Sequence, residues 1–407
     1  MRKFKKYQSI GLSERKAVSK VMNTGILSGY VADNSPNFYG GPLVKKFERM
    51  CEKYFKVKHA ITVNSWSSGL TAAIGSIRIN PGDEVIVSPW TMCASATAIL
   101  HWNAIPVFAD IDKDTFCLDP NSVEKLINSK TKAIMTVDIF GQSSDIDALK
   151  KIAKKRKLIL ISDSAQAPGA TYKGKYAGTI ADIGGYSLNY HKHIHTGEGG
   201  ILFTNNDKFA KRMRMIRNHA EVIVSKNNKT DLINMIGYNF RLGEIEAAIG
   251  IEQLKKLKVL LRSRQLAAKK LINGLKNLNG LKTPIIKEYN THVFYVLPLV
   301  LSSKIIKIKR NKIIQFLKKR GVPGLMEGYS NLHLLPMYQN KIAYGKSGFP
   351  WSISKRKISY KKGICPIAEE LHEKYFFGIE ICMYKLENKD TNFIIRAFHK
   401  VWKDLKI

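Results

Sequence analysis

The chain has 407 residues, of which 44% are hydrophobic, and carries 67 Lys and Arg against 32 Asp and Glu, a formal net charge of +35. That length and apolar content exclude a disordered or fibrous protein and favour one large and one smaller domain around substantial cores. No stretch reaches the ~20 apolar residues of a membrane span, Tyr7-Gln8-Ser9 stands where a secretory leader needs an apolar run, and the five cysteines lack any C-x-x-C pair, so the expectation is a cytoplasmic protein with free thiols, no membrane contact and no metal.

Such a positive charge attracts phosphates, but the basic runs Lys154-Lys155-Arg156-Lys157 and Lys304 to Lys312 sit among apolar residues as on a solvated helix face, without a nucleic-acid-binding module. The expectation is therefore a lysine-rich surface with no nucleic-acid partner, whose field draws in an anionic substrate.

From about residue 45 to 205, helical stretches alternate with short β-branched runs, the pattern of an α/β domain with a mostly parallel sheet. The expected strands include Glu84-Val85-Ile86-Val87, Pro106-Val107-Phe108-Ala109, Ala133 to Val137 and Leu158 to Ile161, with a helix over Ile146 to Lys155. Ligands of such sheets gather beyond the carboxyl ends of the strands. Apolar residues at Leu242, Ile245, Ala248, Ile249 and Leu254 predict a long helix from Arg241 to Lys258. Beyond it come a strand-like Val293-Phe294-Tyr295-Val296, a helix around Ile313 to Lys319 and a closing helix near Thr391 to Leu405. Residues 1–270 read as the large domain with an N-terminal arm, and 271–407 as the small C-terminal one.

The strand Leu158 to Ile161 ends in Ser162-Asp163-Ser164-Ala165-Gln166, and further on stands Ser187-Leu188-Asn189-Tyr190-His191-Lys192-His193-Ile194-His195-Thr196-Gly197-Glu198-Gly199-Gly200. An aspartate and a glutamine three residues apart, a serine, a lysine five residues after it and Thr-Gly-Glu-Gly-Gly resemble the DegT/DnrJ/StrS family of sugar aminotransferases, within the fold type I class of pyridoxal-phosphate (PLP) enzymes. The likeness extends along the chain through Gly41-Pro42-Leu43-Val44, Pro81 to Val87, Phe140-Gly141-Gln142, Gly237-Tyr238-Asn239-Phe240-Arg241-Leu242 and Leu332-His333-Leu334-Leu335-Pro336.

The resemblance implies a seven-stranded type of sheet, a smaller C-terminal α/β domain and pyridoxal 5'-phosphate as cofactor. It makes Lys192 the residue that bonds the cofactor and then moves the substrate proton. Asp163 is expected to keep the pyridine nitrogen protonated, so that the ring accepts carbanion density, and Gln166 to hold the phenolic oxygen. Trp66, Ser67 and Ser68, opening a helix after Asn64-Ser65, match the phosphate-holding segment, and a helix start is itself an anion site. Ser187 is expected to add a hydroxyl contact. Asn239 matches an asparagine that reaches the phosphate across a homodimer. Trp90 is expected to stack on the ring, although the family aromatic aligns with Met92 and an ordinary core tryptophan also fits. His333, Tyr329 and the loop Gly29 to Phe38 are expected to line the sugar pocket.

Asn189, Ser67 and Met92 depart from the commoner histidine, threonine and aromatic at their positions. A related dehydrating subgroup has histidine in place of the lysine, and the spacing of Lys192 from Ser187 and Thr196 argues against it. The alternation His191, His193, His195 makes a poor metal ligand set. The expected function is amino transfer from glutamate, or glutamine, to a keto-sugar, typically nucleotide-linked, for cell-surface polysaccharide or other amino-sugar synthesis. The rival readings are a PLP-dependent sugar dehydratase of the same family and a non-catalytic basic nucleic-acid-binding or regulatory protein on this scaffold.

Overall fold

The computed structural model describes residues 3–224 and 232–407. After helix α1 (Leu12–Thr24), the chain alternates α2 (Pro42–Phe55), β1 (His59–Val63), α3 (Trp66–Ser76), β2 (Glu84–Val87), α4 (Ala94–His101), β3 (Ile105–Phe108), α5 (Pro120–Leu126), β4 (Thr131–Val137), α6 (Ile146–Arg156) and β5 (Ile159–Asp163). A small hairpin, β6 (Thr171–Tyr172) and β7 (Lys175–Tyr176), precedes β8 (Ile183–Ser187), β9 (Gly200–Thr204) and α7 (Asp207–Arg217). The 32-residue α8 (Glu244–Leu275) then crosses to the second core.

Seven strands form the main sheet in the order β1-β9-β8-β5-β4-β2-β3. Neighbours run parallel except at β9, which is antiparallel to both β1 and β8. Strands such as β2 and β3 are buried at every position, which is why they read as continuous apolar runs rather than alternating ones.

The second sheet holds β10 (Leu281–Lys282), β11 (Leu297–Leu301), β12 (Leu325–Met326) and β13 (Phe376–Ile379) in the order β10-β11-β13-β12, all antiparallel. Its core joins Leu299, Ile313, Phe377, Phe398 and Trp402 with α9 (Arg310–Lys319) and a final helix that spans Asn388–Asp404.

The early elements fall within a residue or two of their expected bounds; the later part departs in three ways. The helix expected to stop at Lys258 continues, because Ala268, Leu271 and Leu275 bury in the second core. The strand expected at Val293 to Val296 starts instead at Leu297: Phe294 takes a positive φ of 52°, which breaks an extended run. Residues 329–371 return to the main sheet, where Leu332 N–H donates to the Pro89 carbonyl at 2.7 Å and Tyr360 Oη to that of Pro106 at 2.7 Å. The Asp110 carboxylate accepts the Ile367 and Ala368 amides at 2.9 and 3.0 Å in the same interface.

Candidate active site

The carboxyl ends of β1, β2, β5 and β8 point to one edge of the main sheet, where the loops that follow them meet. Asp163 closes β5 opposite Gly185 of β8. Two residues past Gly185, Ser187 ends β8 and the Lys192 loop begins. From β1 the chain passes through Asn64 and Ser65 into α3, capped by the Ser65 side chain. Carboxylate, lysine and helix start are thus brought together by strand order alone.

Asp163 is buried, and both its oxygens are fixed. Trp66 Nε1 donates to Oδ1 at 2.7 Å, and Ser95 Oγ donates to Oδ2 at 2.7 Å. Sequence reasoning placed Trp66 among the phosphate contacts; its indole instead lies against the carboxylate, and the helix start at its backbone remains in place. Ser95 was missed. The glycines of the strands make this packing possible: a Cβ on Gly200 would come within 2.9 Å of the Trp66 backbone, and one on Gly185 within 2.6 Å of its ring.

The Lys192 loop runs from β8 to β9 and is laced across itself. Leu188 N–H donates to Gly199, Thr196 N–H to Leu188, and Asn189 Nδ2 to Glu198 Oε1 at 2.7 Å. Gly197, at φ 91°, makes the turn that Thr-Gly-Glu requires. Lys192 itself is only 8% exposed, with Nζ 4.3 Å above the centre of the Tyr295 ring. Burial lowers its pKa to about 8, against the opposing pull of Cys382 and Asp163. With its pKa near 8, the buried amine holds far more of the neutral, nucleophilic form near physiological pH than a surface lysine does.

Gln166 is held at both ends of its amide: Oε1 accepts from Phe140 N–H at 2.8 Å, and Nε2 donates to Tyr329 Oη at 2.9 Å. Tyr295 and Tyr329 therefore join the site, a role the sequence did not give Tyr295. Ser187 is buried and accepts from Asn189 N–H at 3.3 Å. Ser68 Oγ donates to Asn64 Oδ1 at 2.7 Å, while Ser67 is exposed at the first turn of α3. Asn239 is exposed, its carbonyl accepting from Asn64 Nδ2 at 3.2 Å beside the same helix start.

Two expectations are corrected. Trp90 is 0% exposed, wedged edge-on among Phe116, Phe140 and Phe376, so it offers no free face to a cofactor; Met92 is 56% exposed. His333 does not line a pocket either: it is fully buried and bonded to Glu369 at 2.9 Å. Among the described residues, no group of three or more His, Cys, Asp or Glu is placed to hold a metal ion, and no helix is long and apolar enough to cross a membrane.

The donor set fits pyridoxal phosphate. A buried carboxylate whose Oδ2 has room for a second donor suits a protonated pyridine nitrogen. A buried, pKa-lowered amine suits an aldehyde, and the small polar residues at the α3 start suit a phosphate.

The sequence model of the DegT/DnrJ/EryC1/StrS aminotransferase family matches residues 30–372. Among curated relatives, GDP-perosamine synthase of Caulobacter vibrioides is 34% identical over 299 residues, 73% of this chain and 79% of that protein. The UDP-4-amino-4,6-dideoxy-N-acetyl-beta-L-altrosamine transaminase of Helicobacter pylori is 33% identical over 300 residues, 72% of this chain and 76% of that one. Among solved structures, an aminotransferase from Psychrobacter cryohalolentis superposes with a TM-score of 0.84 at 26% identity, covering 100% of both chains.

Proposed function

Because the chain belongs to the DegT/DnrJ/EryC1/StrS aminotransferase family of PLP enzymes, we propose that it moves an amino group from glutamate to the keto carbon of a nucleotide-linked keto-deoxysugar, with Lys192 and Asp163 carrying the chemistry. The observation that carries the reading is the meeting of a buried amine and a doubly anchored buried carboxylate at the carboxyl ends of the parallel strands. The names of the two curated relatives support the nucleotide-sugar substrate.

PLP, when bound, supplies the electron sink for charge at the carbon beside the transferred nitrogen. The residues of this chain do the rest. Lys192 Nζ would hold the cofactor and, as a free buried amine, would carry the proton between the two carbons. Asp163, held in line by Trp66 and Ser95, would accept the proton-bearing pyridine nitrogen's hydrogen bond. Gln166, fixed by Phe140, keeps one amide N–H for the phenolic oxygen. Ser187 and the α3 start, Ser67 and Ser68 with the Trp66 backbone, take the phosphate. In this reading the protein is a cytoplasmic homodimer in which the exposed Asn239 reaches the partner's phosphate site, and its product feeds cell-surface polysaccharide synthesis.

The test supplies PLP-loaded protein with glutamate and, in separate reactions, GDP-linked and UDP-linked 4-keto-6-deoxy sugars. One 2-oxoglutarate should form for each amino sugar detected by mass. If glutamate is consumed once per active site and none of these sugars gives turnover, the substrate assignment is wrong.

A further inference from the structure

Arg264 of α8 is 3% exposed, and the described residues pair it with no carboxylate. A buried guanidinium without an anion is costly until its hydrogen bonds offset it, and here Nε is left without a partner as well. Apolar residues of similar volume would fill the space more cheaply. Local choices that break the packing rules concentrate where function needs them.

Its contacts join three separate segments. Nη1 donates to His193 Nδ1 at 2.5 Å, next to Lys192, and Nη2 donates to the Cys382 carbonyl at 3.1 Å. The guanidinium carbon lies 3.9 Å from the centre of the Tyr7 ring. Tyr7 belongs to the N-terminal arm, which pairs with the region of Cys382 through Tyr7 N–H to the Met383 carbonyl and Lys385 N–H to the Lys5 carbonyl, both 2.9 Å.

A guanidinium only donates, so His193 Nδ1 must be the acceptor and the ring proton must sit on Nε2. Nε2 is buried and meets no hydrogen-bond partner among the described residues. His193 is kept neutral by burial first, then by Arg264 and Lys192, which push its pKa well down. The imidazole thus has a fixed tautomer and ties the lysine loop to α8 beside Lys192.

We propose that Arg264 is a positioning residue: by fixing His193 it sets the position of the adjoining Lys192, and it makes that setting depend on the docked N-terminal arm and the Cys382 segment. The proposal rests on Lys192 as the cofactor-bonding residue.

The test uses full-length, PLP-saturated protein with Arg264→Met, Arg264→Lys and Tyr7→Leu. Arg264→Met should slow the single-turnover reaction with glutamate by tenfold or more with cofactor affinity within about threefold, and Arg264→Lys should recover most of the rate. Nitrogen-15 spectra of the cofactor-free protein should give His193 as the Nε2–H tautomer in the wild type and as a mixture in Arg264→Met. Tyr7→Leu should slow the reaction at least threefold, and it carries the test if Arg264→Met does not fold. Wild-type rates in Arg264→Met or, if it does not fold, in Tyr7→Leu overturn the proposal, as does an Nδ1–H tautomer in the wild type. Borohydride trapping separates the two readings: cofactor on Lys192 with a normal Arg264→Met rate removes only the role of Arg264, whereas cofactor on another lysine removes both.

Discussion

Ser95→Ala and Trp66→Phe each delete one of the two side-chain donors that hold Asp163, at 2.7 Å in both cases. A hydrogen bond to a charged group is worth about 1.5–3 kcal/mol. If that energy is needed to keep the carboxylate aligned in the rate-limiting proton transfer, each variant should lose roughly 10- to 150-fold in rate, at 1.36 kcal/mol per decade. Ser95→Ala is the cleaner change, since it removes one oxygen; Trp66→Phe also opens space beside Gly185 and Gly200. The assay is stopped-flow loss of the visible cofactor band after mixing with glutamate, at saturating PLP, with urea unfolding run alongside to correct for lost stability. Because both donors act on one group, the double variant should lose less than the product of the single effects. Rates within threefold of wild type in both single variants, with PLP bound, would refute the claim that these donors aim Asp163.

In the cofactor-free protein, competitive amine labelling of Lys192 should show a midpoint near pH 8, well below that of surface lysines. The folded pKa lies below the unfolded value of 10.5, so the folded state sheds this proton first, and wild type should gain stability over Lys192→Met as pH rises from about 8 to 10.5. Arg217→Met should destabilise the protein by about 3–5 kcal/mol in urea unfolding, because it strands Glu48, which the fully buried Arg217 meets at 2.6 Å. Mixing inactive Lys192→Ala and Asn239→Ala proteins under subunit exchange should restore about a quarter of wild-type activity, since half the dimers are mixed and each mixed dimer has one intact site. Inactivity despite heterodimers confirmed by mass would return Asn239 to the site of its own chain.

The parallel sheet was legible because strands buried on both faces read as unbroken apolar runs, and the Asp163, Gln166, Ser187 and Lys192 series because few chemistries need those residue types in that order. The supports of Asp163 were not legible: Trp66 and Ser95 stand 97 and 68 residues away in the chain and meet it only through strand order. Trp90 was misread because Ser88 to Ser95 has no regular period, so the sequence did not say which side chains face the cleft and which enter the aromatic core. The start of β11 was hidden for a related reason. The run Val293 to Leu301 is apolar nearly throughout, and only the positive φ at Phe294 marks where extension begins. The return of residues 329–371 to the main sheet rests on short elements, on the Tyr360 and Asp110 side chains and on buried residues such as Tyr338, Trp351 and Cys365 that follow no readable hydrophobic period.

The most direct test of the account is to saturate the purified protein with PLP, reduce it with borohydride and map the modified peptide by mass spectrometry. The account requires the pyridoxyl group on Lys192, between His191 and His193, and its loss in Lys192→Ala. A pyridoxyl group on any other lysine, or none in a fully loaded sample, would contradict it.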